Sequence, residues 1–239
     1  MGTLFLVRHA QASFLEPNYD KLSRVGETQS RLLGEHWAHR GLSFDRVCVG
    51  PCLRHKDTAR IVADVYVQAG LAFPEPSVQP EFDEYQGEAV LSSSLPGLLE
   101  HDQRVRDLHA AFQFASGSAE RRATFQKLFA AVIGMWVNGA ITPQGVETWP
   151  QFCSRVHSGL ASFLSGSRRK ERVAIFTSGG PIAVAMQRAL QLSSANTLQV
   201  SWMSRNSSWT EFLYDAERFT LSSFNAHAHL QDADMLTYR

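Results

Sequence analysis

The sequence predicts an α/β fold with three layers: a mostly parallel sheet, helices on both of its faces, and a helical insertion. Two observations carry this expectation. A short apolar run rich in strand formers is followed by a polar turn and then by helically spaced apolar residues, and this unit occurs three times. Residues 95–140, by contrast, keep helical spacing and contain no convincing strand. A chain of 239 residues suits one α/β domain, so 1–239 is expected to form a single domain with the insertion at about 95–140.

The elements follow in order. Thr3 to Val7 reads as a buried strand and Arg8 to Ser13 as the polar turn after it. Leu32, Leu33, His36 and Trp37 then recur at helical spacing from Ser23 to Arg40, with Gly41 as a stop. Asp45 to Val49 is a second strand, Gly50-Pro51 its turn, and His55 to Gln68 a helix with Ala59, Val62, Ala63 and Tyr66 on one face. Leu98, Leu99, Val105, Leu108, Phe112, Phe125, Leu128, Phe129, Val132 and Trp136 are the apolar set of the insertion. It is expected to serve either as a lid over the sheet's carboxyl edge or as a structural helical pair. Arg172 to Phe176, the turn Thr-Ser-Gly-Gly-Pro and a helix over 182–192 form the third unit. Ser208 to Tyr214 and Phe219 to Phe224 alternate as two strands around Asp215-Ala216-Glu217.

Composition narrows the function. Lysine and arginine number 23 and so do aspartate and glutamate, so net charge supplies no field for nucleic acid or an anionic membrane. No run approaches the roughly 20 apolar residues that span a bilayer, and Arg8 and His9 interrupt the start where a secretory apolar stretch would continue. Three cysteines, Cys48, Cys52 and Cys153, are too few for a disulfide framework. No second Cys/His pair at zinc spacing follows Cys48 and Cys52. The expectation is a cytoplasmic protein whose cysteines are small buried residues.

The chemistry concentrates at strand ends. Arg8 and His9 directly follow a buried strand, where α/β sheets hold ligands. A guanidinium fork there matches phosphate or carboxylate, and a neutral imidazole beside it can attack phosphorus. Arg54 occupies an equivalent place after the second strand, which suggests two arginines in one pocket. Glu81-Phe82-Asp83-Glu84 offers three carboxyl groups, one of which could act as a general acid in a crowded setting.

Together these residues resemble the histidine phosphatase superfamily, also called the phosphoglycerate mutase-like family. Leu4 to Ser13 is similar to its strand and Arg-His-Gly signature, with Ala10 for the usual Gly. Leu22 to Gln29 resembles its Leu-Ser-x-x-Gly-x-x-Gln helix start. Leu53-Arg54 with Thr58-Ala59 resembles a shortened Leu-x-Arg-x-x-x-Thr-Ala segment. Glu147 to Arg155 resembles Glu-Ser-x-x-x-Phe-x-x-Arg, and Asn206-Ser207-Ser208 with Asn225 and Leu230 the closing strands. The resemblance implies a phosphatase that hydrolyses a phosphomonoester through a phosphohistidine on His9, without metal or cofactor. Arg8 and Arg54 would clamp the phosphoryl oxygens and Glu84, with Glu81 as fallback, would protonate the leaving oxygen. The implied partner is a phosphorylated small molecule, with no nucleic acid and no membrane; a homodimer stays open. Mutase activity is disfavoured, since contacts to a sugar-acid carboxylate cannot be placed.

One position departs from the pattern. Where the family carries a second histidine, this chain has Ser178, followed by Gly179 and Gly180 at a helix start. Ser178 and Gly179 are expected to contact phosphate, because glycine allows close approach and the helix N-terminus presents N–H groups. Loss of the histidine leaves an alternative, a weak or inactive member that binds a phosphorylated ligand or partner. A serine-hydrolase triad of Ser178, Asp215 and His229 has the right order but lacks the glycine two residues before the serine. His227 and His229 read as a strand-end pair rather than metal ligands, Trp136, Trp149, Trp202 and Trp209 as core or pocket wall, and Arg121-Arg122 and Arg168-Arg169-Lys170 as solvated clusters.

Overall fold

The computed structural model describes residues 1–13, 20–165 and 170–238. Arg168 and Arg169 of the basic cluster lie outside them. In chain order the elements are β1 (Gly2–Arg8), α1 (Arg24–His39), β2 (Arg46–Val49), α2 (Leu53–Gln68), β3 (Ser77–Val78), α3 (Gly87–His101), α4 (Gln103–Phe114), α5 (Ser118–Val137), α6 (Trp149–Ser165), β4 (Arg172–Thr177), α7 (Gly179–Leu190), α8 (Ser194–Met203), β5 (Trp209–Tyr214) and β6 (Phe219–Ala226). The chain divides into two compact units, Met1–Glu84 with Ser154–Arg239, and Tyr85–Cys153.

The first unit holds one sheet in the order β3-β2-β4-β1-β5-β6. β3, β2, β4 and β1 pair in parallel, while β5 and β6 close the far edge antiparallel. β1 and β4 are buried along nearly their whole length because both faces are covered. Phe5 and Val7 of β1 pack with Leu33 and Trp37 of α1 and with Ala59, Val62 and Tyr66 of α2. Leu4 and Leu6 alternate to the opposite face and are equally buried, and α7 packs against β1 and β6. The α/β expectation with a mostly parallel sheet is met. The antiparallel strands flank the turn at Asp215, whose carboxylate accepts the N–H groups of Glu217 and Arg218 at 3.1 and 2.9 Å.

In the second unit α4 packs on α5, and α3 packs on both. Asp102 ends α3 and caps α4, accepting the Val105 N–H at 3.0 Å. Aromatic rings build its core: Trp136 lies 5.4 Å from Tyr85 and 5.6 Å from Trp149, centroid to centroid. The Trp136 indole N–H finds the Glu147 carbonyl at 3.1 Å.

α1 fixes the loop after β1. Ser23 caps the helix through the Gly26 N–H, and its hydroxyl donates to Gln11 Oε1 at 2.8 Å. A Cβ at Gly26 would lie 2.1 Å from the Gln11 carbonyl oxygen, so only glycine lets the helix start approach this loop. Gly26→Ala is expected to cost about 1–3 kcal/mol in urea denaturation, overpacking outweighing the gain in helix propensity. Gly97→Ala in α3, where a Cβ meets nothing within 4 Å, should instead be neutral or stabilising. Equal responses of the two variants would show that the Gln11 contact imposes no constraint.

Candidate active site

Three strand ends meet at the carboxyl edge of the sheet. Arg8 pairs with Thr177 across β1 and β4, so His9 and Ser178 leave the sheet side by side. The His9 N–H donates to the Thr177 carbonyl at 2.8 Å, and the Gly50 N–H at the end of β2 donates to Phe176 at 2.9 Å. α2 then starts with Leu53 and Arg54, and Asp20 caps it by accepting the Leu53 N–H at 2.7 Å. Such an edge is where open α/β sheets bind ligands.

His9 is buried with one defined outlook. Its Nδ1 lies 2.7 Å from the Ala10 carbonyl, which can only accept, so Nδ1 carries the proton and Nε2 the lone pair. Burial, then Arg54, Arg8 and His55, push its pKa well below the ordinary histidine value, so the ring is neutral at pH 7. Its backbone is equally fixed: Asn206 Nδ2 donates to the His9 carbonyl at 3.1 Å, and the Ser207 N–H reaches the carbonyls of Arg8 and His9. Ser207 adopts a left-handed φ of 62° to do so.

Arg8 is nine-tenths buried; its guanidinium donates to the carbonyls of Ser204 and Tyr238 and lies against Gly179. Arg54 pairs with Asp20 at 2.6 Å, and its carbonyl accepts from Thr58, whose hydroxyl in turn accepts the Ala10 N–H. Both guanidinium groups lie close enough to act on the His9 ring electrostatically. Ser178 is buried and its Oγ lies 2.7 Å from Nε2 of His55, whose place in the sequence pattern marks only the start of a helix. The His55 ring lies 5.6 Å from that of His9, and burial followed by Arg54 holds it neutral as well.

Of the three carboxylates after β3, Glu84 reaches this edge: its Oε2 accepts the Gly180 N–H at the start of α7 at 3.1 Å. Glu81 packs instead against Gly159 of α6. The loop is held from three directions. Arg155 Nη1 donates to the carbonyls of Pro80, Glu81 and Asp83 at 3.2, 2.9 and 3.1 Å. The Thr177 hydroxyl donates to the Phe82 carbonyl at 2.6 Å, and Cys52 Sγ to Asp83 at 3.1 Å. Arg155 is thereby a structural clamp on the segment that presents Glu84.

Among the described residues, one cluster has metal-compatible spacing: Cys52, His55 and Asp83, with ligand atoms within 4.8 Å of one another. Within it Cys52 Sγ donates to Asp83 and His55 Nε2 meets Ser178 Oγ. Burial pushes the Cys52 thiol up to about 12, so it is protonated in this arrangement. The serine-hydrolase arrangement is not assembled, because Ser178 meets His55, while His229 bonds the Ser207 hydroxyl at 2.9 Å and Asp215 closes the β5–β6 turn.

The buried histidines make a thermodynamic prediction. His9 and His55 are held well below the ordinary value and His229 is pushed down to about 3, all primarily by burial. In the unfolded chain they titrate near 6.5. Between that value and the folded pKa the unfolded state binds more protons, so stability present above pH ~6.5 is lost as pH falls, by up to ~1.4 kcal/mol per pH unit per histidine. Melting temperature should drop steeply between pH 7 and 5, and less steeply in His229→Gln. A flat profile would contradict the neutral buried rings.

A family model for the histidine phosphatase superfamily (branch 1) matches residues 99–227, more than half of the chain. No curated protein matches the sequence. Solved structures share the fold. A mycobacterial glucosyl-3-phosphoglycerate phosphatase superposes with a TM-score of 0.62 at 20% identity, covering 95% of this chain and 100% of its own. A putative alpha-ribazole-5'-P phosphatase from Escherichia coli gives 0.64 at 17%, covering 95% and 97%. A phosphoserine phosphatase from Entamoeba histolytica gives 0.64 at 15%, covering 96% and 100%. The chain belongs to the histidine phosphatase superfamily. Among the described residues no helix is long and apolar enough to cross a membrane.

Proposed function

We propose that this protein is a metal-independent phosphatase that hydrolyses a small phosphomonoester through a phosphohistidine on His9. The observation that carries the reading is the fixed tautomer of His9: the proton sits on Nδ1, leaving the Nε2 lone pair in the field of the Arg8 and Arg54 guanidinium groups. That nitrogen attacks phosphorus, and the bond to the ester oxygen breaks. Arg8 and Arg54 neutralise charge on the equatorial oxygens, with the Ser178 hydroxyl and the Gly179 end of α7 as further donors. Glu84 gives its proton to the leaving oxygen. Water then attacks the phosphohistidine, the Glu84 carboxylate takes its proton, and inorganic phosphate leaves with His9 restored. Phosphoryl transfer needs mainly positioning and charge neutralisation, which these side chains supply.

Ser178 stands where the family resemblance places a second histidine, so one imidazole donor is exchanged for a hydroxyl at that position. The structural relatives are named for phosphate esters of small organic molecules, which supports the same substrate class here. Hydrolysis of an aryl phosphate in the presence of a chelator, inhibited competitively by vanadate, is the direct test. Vanadate binding without turnover of any phosphomonoester would favour a binding protein instead.

A further inference from the structure

The reaction above assigns no role to His55, although its ring lies within the same group of side chains. Its side chain is wholly buried, with Nε2 at 2.7 Å from Ser178 Oγ. The opposite ring nitrogen faces the Gly50 backbone, which favours a proton on Nδ1, and an added Cβ at Gly50 would lie only 2.4 Å from it. Backbone on one side, the hydroxyl on another and the His9 ring at 5.6 Å hold the imidazole in one orientation. Burying an imidazole and a hydroxyl costs desolvation, and apolar side chains at both positions would satisfy packing with no hydrogen bond to make. A serine–histidine pair at a ligand-binding strand end therefore calls for a reason beyond packing.

The proton count of the hydroxyl supplies one. Ser178 has a single O–H and two lone pairs. If that proton is donated to Nε2, the oxygen turns lone pairs toward an incoming phosphoryl group and repels it. If Nε2 carries the proton and donates to Oγ, the hydroxyl proton is free for a phosphoryl oxygen, and the chain Nε2–H···Oγ–H···O–P strengthens along its length. The imidazolium provides this arrangement while keeping the Nδ1 proton toward the Gly50 backbone, and the negative charge of a phosphoryl group held at His9 favours it over the neutral ring of the free protein. We propose that His55 is a positioning residue for phosphoryl binding, acting through Ser178 by turning the hydroxyl proton outward to the group held at His9. The inference rests on the phosphatase reading and extends it to a second, imidazole-backed arm of the site.

The test is a double-mutant cycle on His55→Ala, Ser178→Ala and the double variant, read by vanadate affinity and by kcat/KM for an aryl phosphate. Each single variant is expected to lose on the order of 10²-fold, and the double variant no more than either, because the two act in series. His55→Gln, which keeps an N–H near the Nε2 position, should recover at least tenfold over His55→Ala; it also serves if the alanine variant does not fold. In histidine 15N spectra with inorganic phosphate bound, Nε2 of His55 should have the shift of a protonated nitrogen. Losses that add in the cycle, unchanged vanadate affinity in folded His55→Ala, or an unprotonated Nε2 in the complex would each overturn the proposal. Wild-type turnover that disappears in His9→Ala upholds the phosphatase reading whichever way the His55 variants fall. Phosphate binding that depends on His55 without any turnover upholds the positioning role alone. A wild type that binds neither anion overturns both.

Discussion

His9→Ala is expected to abolish aryl phosphate hydrolysis, a loss on the order of 10⁶-fold if it scales as removal of a nucleophile does elsewhere. The variant should also lose the acid-labile phosphoenzyme trapped from labelled substrate in the wild type. The substitution is clean because the contacts that fix this backbone are main-chain ones: the N–H to Thr177 and the carbonyl to Asn206 and Ser207 survive it. The ring itself makes a local bond to Ala10. Arg8 keeps its carbonyl partners and Arg54 keeps Asp20, so vanadate should still bind, less tightly. That combination, a folded protein with a residual anion site and no turnover, separates nucleophile loss from collapse of the pocket. Turnover retained in His9→Ala would remove the phosphohistidine mechanism.

The parts of this site legible in the sequence were those governed by local rules. Arg8, His9, Arg54 and Ser178 each follow a buried strand or open a helix, and the strand–turn–helix pattern puts such residues at the sheet's carboxyl edge without knowledge of the partner strands. His55 was missed although a signal existed. It lies on the buried stripe with Thr58, Ala59, Val62 and Tyr66, and a histidine continuing an apolar helical face must have a polar partner. That partner is Ser178, 123 residues away, which no local pattern names. The role of Arg155 is illegible in the sequence for the same reason: it acts on carbonyl groups more than 70 residues back in the chain. β3 has two residues and exists only because β2 offers an edge, and α8 lacks a strong apolar stripe; tertiary pairing decided both. Spacing does not choose between the carboxylates: Glu84 Oε2 accepts the Gly180 N–H while the Glu81 Cβ packs against Gly159 of α6, a difference set by tertiary contacts.

Glu84→Gln tests that distinction with a signature no structural defect imitates. Glutamine has nearly the same shape, and its Oε1 can accept the Gly180 N–H that Glu84 accepts at 3.1 Å, so the loop should keep its place. What it cannot do is release a proton. General acid catalysis contributes about 10²- to 10⁴-fold, and the contribution depends on how badly the leaving oxygen needs the proton. For phenyl phosphate, whose leaving group is a poor anion, kcat/KM should fall by about that factor. For 2,4-dinitrophenyl phosphate, whose phenolate departs unaided, the fall should be less than tenfold. In the proposed mechanism dephosphorylation of His9 also uses the Glu84 carboxylate as a base, so the activated substrate should give a burst of phenolate followed by a slow steady state. Glu81→Gln, at a side chain whose Cβ packs against Gly159 of α6, should change neither substrate's rate by more than about twofold. Equal losses for both leaving groups in Glu84→Gln would mean that this carboxylate organises the start of α7 without moving a proton. A leaving-group-dependent loss in Glu81→Gln would transfer the acid's role to that residue.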